Sequence, residues 1–188
     1  MENKIVNGVN AIRNIISIGA MLLVLGVLGY IGYNYFFGKT VLVSEKDLFQ
    51  ITAPGKFDFV ENTSANSEYY MAKVDESKKL YIFILAYEKA EDKDFKTIAE
   101  EERAYYLENP ESTKNLSDLK DVKIGDYDAY MLSYEYVDEN EEDYYLQLYM
   151  IEGKEAMYYA MFESPVKDQD KYKADFEKIA KTFKEIEA

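Results

Sequence analysis

The sequence predicts an α+β fold, an antiparallel β-sheet sandwiched by helices, preceded by one N-terminal transmembrane helix. Residues 14–38 carry no charged side chain, and the apolar run 15–37 is long enough for a span, since a helix crosses the hydrocarbon core with about 20 apolar residues. The rest of the chain changes repeatedly between the two-residue period of strands and the 3.6-residue period of helices. Its strands follow one another through short turns, which favours antiparallel pairing.

The apolar run is interpreted as an uncleaved membrane anchor. It ends in the bulky segment 33–37, where a signal peptidase requires small residues, and aromatic rings suit the membrane interface. The positive charges on its two sides nearly balance, but Arg13 lies beside the run and the remaining chain is acidic. We therefore predict a short cytoplasmic tail at 1–14, a transmembrane anchor at 15–37, a linker at 38–47 and an extracytoplasmic domain at 48–188.

Composition excludes several classes of function. The chain has 22 basic and 36 acidic residues, a net charge of −14, which argues against nucleic acid because its binders carry basic patches. It has no cysteine and no histidine, which removes disulfides, thiolate nucleophiles and imidazole-based catalysis or metal binding. No carboxylate pair is marked by its environment for acid–base chemistry. We expect neither enzymatic activity nor an organic cofactor.

The first half of the outer domain is predicted to open with strands. Leu48–Thr52 forms one, which ends where Pro54 and Gly55 favour a turn. Tyr69–Val74 and Leu80–Glu88 read as a hairpin around the polar segment 75–79. Both alternating sets of side chains between residues 80 and 87 are apolar, so this strand must be covered on both faces.

The second half begins and ends with a helix. Asp94 is the expected N-cap of a helix that runs to about Leu107 and ends before Pro110. A closing helix is predicted at Asp168–Glu187, where apolar residues recur along one narrow seam. Four strands lie between these helices, at Val122–Ile124, Tyr127–Val137, Tyr144–Ile151 and Glu155–Phe162.

Four local features of the outer domain occur together in one known family. They are the turn 53–57 after the first strand, the helix that begins at Asp94, the strand–glycine–strand segment Val122–Tyr130, and the closing helix with Phe176, Ile179 and Phe183. In this order they resemble the PsbP-like family, an α/β/α sandwich first known from an extrinsic subunit of photosystem II. Phe57 departs from the family pattern, which often has Trp there. The resemblance covers nearly all of residues 48–188 and implies a protein that binds a partner without catalysis. The absence of cysteine favours a bacterial surface protein, so with the predicted anchor the chain is expected to be a bacterial, membrane-anchored member.

An acidic segment between two predicted strands is the candidate metal site. Five of the six residues from Asp138 to Asp143 are acidic, and Ca²⁺ prefers clustered carboxylate oxygens. Asp138, Glu141 and Asp143 are the candidate ligands. The segment lacks the turn glycine of an EF-hand loop, and a solvated hairpin tip explains the same residues.

Tyrosines recur on the strands that flank this acidic segment and form the candidate partner-binding surface. Tyr134 lies on one predicted strand, and Tyr145 and Tyr149 lie on the next. If neighbouring strands place these rings on one sheet face, they form a ladder that suits a peptide, protein or sugar partner. The alternative is that the closing helix covers this face and that the rings belong to the core.

The sequence therefore favours a membrane-tethered, extracytoplasmic protein that recruits or stabilises a partner at the bacterial cell surface. The expected partners are the membrane, through the N-terminal helix, and a protein or peptide of the cell envelope. The alternative hypothesis is a Ca²⁺-dependent binding module that uses the acidic hairpin tip.

Overall fold

The chain divides into two units, one formed by Met1–Lys39 with Pro54–Lys56 and the other by Thr40–Ala53 with Phe57–Ala188. The computed structural model describes residues 24–33, 38–62, 70–90 and 92–186. In the first unit, residues 24–33 are helical and expose apolar side chains such as Leu28. Among the described residues, no helix combines the length and apolar character needed to cross a membrane. The remaining parts of the predicted anchor, 15–23 and 34–37, lie outside the described residues.

The second unit is built on a seven-stranded antiparallel sheet with strand order β3-β4-β5-β9-β8-β7-β6. A smaller sheet has the order β1-β2-β10. The strands are β1 (Lys39–Val43), β2 (Phe49–Pro54), β3 (Val60–Glu61), β4 (Tyr70–Asp75), β5 (Leu80–Glu88), β6 (Lys120–Ile124), β7 (Tyr127–Val137), β8 (Asp143–Glu152), β9 (Ala156–Pro165) and β10 (Lys184–Glu185). Two α-helices follow β5 and β9, α1 at Phe95–Glu108 and α2 at Gln169–Ala180.

Each face of the large sheet packs against one of these helices. Successive side chains of a strand point to opposite faces, so β8 sends Leu146 and Leu148 into a cluster with Ala99 of α1. Its alternate residues, such as Tyr149, join a larger cluster with Phe176 of α2 and the small sheet. The prediction of an α+β fold with an antiparallel sheet between helices is therefore confirmed for the outer domain.

Local sequence signals place α1 and the central strands where they were predicted. The Asp94 carboxylate accepts a hydrogen bond from the Thr97 N–H at 3.0 Å, which caps the first turn of α1. Strand β7 has the predicted bounds, and its neighbours differ from the predicted ranges by a few residues at their ends.

Two predicted segments differ from the structure because they join the small sheet. Residues 39–43 of the predicted linker form β1. The predicted closing helix stops at Ala180 instead of continuing to residue 187. The Thr182 hydroxyl accepts a hydrogen bond from the Thr52 N–H at 2.7 Å, and Phe183 is buried at 1% exposure. These contacts stabilise a turn that leads the chain into β10, antiparallel to β2.

A candidate binding site on the aromatic face of the sheet

The candidate site lies on the sheet face that packs against α1, here called the α1 face. Cross-strand pairing aligns Tyr134, Leu146, Glu163 and Tyr81 in one row across β7, β8, β9 and β5. Leu146 belongs to the cluster beneath α1, so the other members of this row also point to the α1 face.

Aromatic side chains form an unbroken series of ring contacts along this face. Successive ring centroids are 4.6 to 6.3 Å apart, the range in which aromatic pairs stabilise one another. All members except the buried Tyr144 are half-buried. This aromatic arc consists, in spatial order, of Tyr70, Phe83, Tyr81, Tyr144, Tyr136, Tyr134 and Tyr106.

Helix α1 covers only one side of this face. Its Phe95 ring packs on Tyr130 of β7 with centroids 5.2 Å apart, and its Tyr106 ring packs on Tyr134 at 4.6 Å. On β5, Leu80, Ile82 and Ile84 of the α2 face are fully buried. Tyr81 and Phe83 on the α1 face are half-buried. The strand that was predicted to be covered on both faces is thus covered completely on one face only.

Glu163 of β9 stands among the rings of the arc. The Tyr136 hydroxyl donates a hydrogen bond to its Oε2 atom at 2.8 Å. No lysine or arginine of the described chain forms an ion pair with it. Burial raises the pKa of Glu163 to about 7, against a smaller lowering by the Tyr136 hydrogen bond, because a low-dielectric site disfavours the charged form.

The phenols around Glu163 are poor acids. Burial raises the pKa of Tyr70 to about 12, and the negative charge of Glu163 acts in the same direction. Burial also raises the pKa values of Tyr134, Tyr136 and Tyr144. These hydroxyls therefore stay protonated at physiological pH, so the face offers ring surfaces, neutral hydroxyl groups and one carboxyl group. Such a set suits binding more than bond cleavage.

The three predicted partner-binding tyrosines do not share a face. Tyr134 belongs to the aromatic arc, but Tyr145 and Tyr149 point to the α2 face and are only 6% and 2% exposed. The Lys173 ammonium group of α2 lies 4.7 Å from the centroid of the Tyr145 ring, and Tyr149 packs edge-on against Phe162. The predicted ladder is therefore wrong for these two residues, which belong to the core as the alternative interpretation proposed.

The register between β7 and β8 explains why Tyr134 and Tyr145 lie on opposite faces of the sheet. Tyr136 pairs with Tyr144, and Glu135 pairs with Tyr145, so even-numbered residues face even-numbered residues across the hairpin. Tyr144, Glu163 and Tyr81 were not among the predicted site residues. A hairpin centred on Asn140 is the signal in the sequence that would have placed Tyr144 beside Tyr136 and Tyr134.

The acidic segment forms a tight turn between β7 and β8. The Asp138 Oδ1 atom accepts hydrogen bonds from the backbone N–H groups of Asn140 and Glu142 at 2.9 and 2.8 Å. These hydrogen bonds lower the pKa of Asp138, and the bond from Glu142 has the largest effect. Lys79 forms an ion pair with Glu142 at 2.5 Å, and Lys114 approaches Asp143 at 3.6 Å.

The predicted calcium ligands are therefore not gathered around a common point. Across the described ranges, no group of three or more His, Cys, Asp or Glu side chains is arranged to hold a metal ion. Glu142 and Asp143 instead line a cleft of about 380 Å³ that they share with Lys79 and Lys167. These lysines provide the positive charge near the acids, which is consistent with a solvated, ion-paired hairpin tip.

Comparisons with known proteins identify the fold. No protein-family model matches the chain, and no curated protein has a significantly similar sequence. The structure of LpqN, a Mycobacterium tuberculosis protein involved in cell envelope biogenesis, is 12% identical and superposes with a TM-score of 0.56 over 79% of this chain and 91% of LpqN. Cyanobacterial PsbP (CyanoP) from Synechocystis is 14% identical, with a TM-score of 0.54 over 78% of this chain and 92% of CyanoP.

A third similar structure is PA94 from Pseudomonas aeruginosa, a protein of unknown function. It is 15% identical and has a TM-score of 0.50 over 77% of this chain and 94% of its own. The superpositions show a shared fold, and sequence identities this low leave the activity open. The chain has a PsbP-like fold.

Proposed function

We propose that this protein is a membrane-tethered, extracytoplasmic binding or accessory protein that recruits or stabilises a partner protein at the bacterial cell surface without catalysis. The observation that carries the proposal is the aromatic arc, a half-buried series of rings on a sheet face that α1 covers only in part. Tyrosine and phenylalanine are enriched in protein interfaces, and tyrosine is enriched among the residues that dominate binding energy.

The size of the arc suits a polypeptide partner. It extends from β4 across β5, β9 and β8 to β7, which is about 19 Å at the usual strand spacing of ~4.8 Å. An extended segment of about six residues covers that distance at ~3.3 Å per residue. Rigid rings with hydroxyl tips provide contact area at a low cost in conformational entropy.

Two observations support the location at the membrane. The uncharged stretch 14–38 precedes the domain in sequence, and the side chains of its helical part, 24–33, are apolar and exposed. LpqN, which shares the fold, is involved in cell envelope biogenesis. Protease treatment of intact cells should remove the outer domain, whereas a protected domain would contradict the extracytoplasmic location.

Site-specific photocrosslinking in cells tests the binding function. A photoreactive phenylalanine analogue at position Phe83 should form a discrete crosslinked product with a membrane or envelope protein. The same analogue at Val137, an exposed β7 residue outside the arc, is the matched control and should give little of that product. Equal crosslinking from both positions, or none from Phe83, would refute the proposed surface.

A further inference from the structure

We infer that the aromatic arc binds a basic side chain of its partner, an arginine or lysine that lies against the tyrosine rings and forms an ion pair with Glu163. This inference rests on the proposed binding function and names the chemical class that the site recognises. It is carried by one combination of features, a half-buried carboxyl group beside aromatic rings that forms no ion pair with a lysine or arginine of the described residues.

Glu163 is half-buried and accepts fewer hydrogen bonds than Asp75, a fully buried acid of the same domain. Asp75 is 1% exposed and accepts hydrogen bonds from the Lys78 ammonium group at 2.7 Å, the Ser77 hydroxyl at 2.6 Å and the Asp58 N–H at 3.1 Å. Within the described residues, Glu163 accepts one hydrogen bond, from the neutral Tyr136 hydroxyl to Oε2. The Oε1 atom accepts no hydrogen bond from the described residues, so it is the position at which a donor of the partner can bind.

The aromatic rings near Glu163 provide further contacts for a cation. Tyr81 pairs directly with Glu163 across β5 and β9, and Tyr136 approaches from the β7 side. A guanidinium or ammonium group near aromatic faces is attracted by their quadrupoles. The planar guanidinium of arginine can stack on a ring while it donates to a carboxylate.

The surrounding charge favours a basic partner. The chain carries a net charge of −14, and Glu102 of α1 lies beside the arc, with its carboxylate 3.4 Å from the Tyr159 hydroxyl. Lys79, which lies near Tyr81 and Tyr144 of the arc, forms an ion pair with Glu142. A free metal ion would find one carboxylate and neutral phenols here, too few oxygen ligands for Ca²⁺.

Binding should depend on pH through Glu163. The charged and titratable groups that face it are phenols from every neighbouring strand, together with Glu102 from α1. These phenols are Tyr134 and Tyr136 of β7, Tyr144 of β8, Tyr81 of β5 and Tyr70 of β4. With a pKa of about 7, the ionised fraction of Glu163 falls by about tenfold between pH 8 and pH 6. A cation that requires the ionised form should therefore bind about tenfold more weakly at pH 6.

The test uses the full-length protein in a detergent micelle and two short probes, Ac-Gly-Gly-Arg-Gly-Gly-NH₂ and the same peptide with citrulline in place of arginine. Citrulline keeps the shape of arginine and removes its charge. Titrations followed by NMR at pH 8 should show the arginine peptide binding at least tenfold more tightly, with shifts centred on Tyr81, Tyr136 and Glu163. At pH 6 this preference should decrease by about tenfold.

Two variants decide the role of the carboxyl group. Glu163→Gln should abolish the preference for arginine and its pH dependence, whereas Glu139→Gln, the same change at an exposed position of the hairpin turn, should preserve both. Equal affinity for the two peptides, no binding of the arginine peptide at millimolar concentration, or an unchanged preference in Glu163→Gln would overturn the inference. If Phe83 still crosslinks a partner equally well in Glu163→Gln, the proposed binding function stands and the cation site does not.

Discussion

Replacement of Glu163 by glutamine should stabilise the folded protein, and the gain should appear only as the pH rises. Glutamine has nearly the same shape, and its amide oxygen can still accept the Tyr136 hydrogen bond. The folded-state pKa of Glu163 is about 7, and the ordinary value is 4.5. The difference is 7 − 4.5 = 2.5 pKa units, which corresponds to about 3 kcal/mol at 1.36 kcal/mol per unit.

The sign follows from proton linkage. Below pH 4.5 the carboxyl group is protonated in both the folded and the unfolded state, and burial carries no charge penalty. Between pH 4.5 and about 7 the unfolded chain releases the proton while the folded protein retains it, so the folded state loses stability as the pH rises. Above about pH 7 the folded state has lost the full amount of stability. We therefore expect Glu163→Gln to match the wild type near pH 4.5 and to exceed its stability by about 3 kcal/mol at pH 8.

Urea unfolding of the full-length protein in a detergent micelle, followed by far-UV circular dichroism at several pH values, measures this difference. The other acidic residues contribute equally to both proteins, so subtraction isolates position 163. Glu139→Gln is the matched control and should give a difference that does not change with pH over this range. Parallel stability curves for the wild type and Glu163→Gln would refute the raised pKa of Glu163 in the folded protein.

Three further predictions concern the core, a turn and the acidic hairpin tip. Tyr149→Ala should destabilise the domain by about 3–5 kcal/mol in urea unfolding, because the ring is 2% exposed; a small effect would mean that Tyr149 is not core. Gly153→Ala should lower the melting temperature, because a Cβ atom there would lie 2.5 Å from Tyr158 Cε2 and 2.8 Å from the Ala156 carbonyl oxygen, closer than packing allows. Asp138→Ala should lower the urea midpoint at neutral pH. The difference should shrink on acidification through the lowered pKa of Asp138, since protonation removes the charge that strengthens its hydrogen bonds to the turn. A midpoint difference that does not shrink at low pH would contradict this role.

Elements that depend on local signals could be predicted from the sequence. The N-cap at Asp94 and the range of β7 each depend on residues close together in the chain, and the structure confirms both. Strand β10 depends on partners far away in sequence, because Thr182 bonds to Thr52 and the Ile186 N–H bonds to the Leu48 carbonyl. The helical periodicity of the sequence therefore did not indicate that α2 ends at Ala180.

The face on which a strand residue lies is a second property that the sequence did not determine. A change of one residue in register exchanges the two faces of a strand. In β8 this distinction separates Tyr144, which joins the aromatic arc, from Tyr145, which lies under Lys173 of α2. Both are tyrosines in an apolar strand, and only the pairing of Tyr144 with Tyr136 tells them apart.

Glu163 shows most clearly that a residue of a candidate site cannot always be recognised from the sequence of its strand. In the sequence it is one acid among 36, placed between Phe162 and Ser164. Its chemistry arises because β9 lies between β5 and β8 in the middle of the sheet. From its raised pKa we expect a carboxyl group there to lower the stability by about 3 kcal/mol above pH 7. Such a departure from consistent core design is expected where a residue serves binding more than folding.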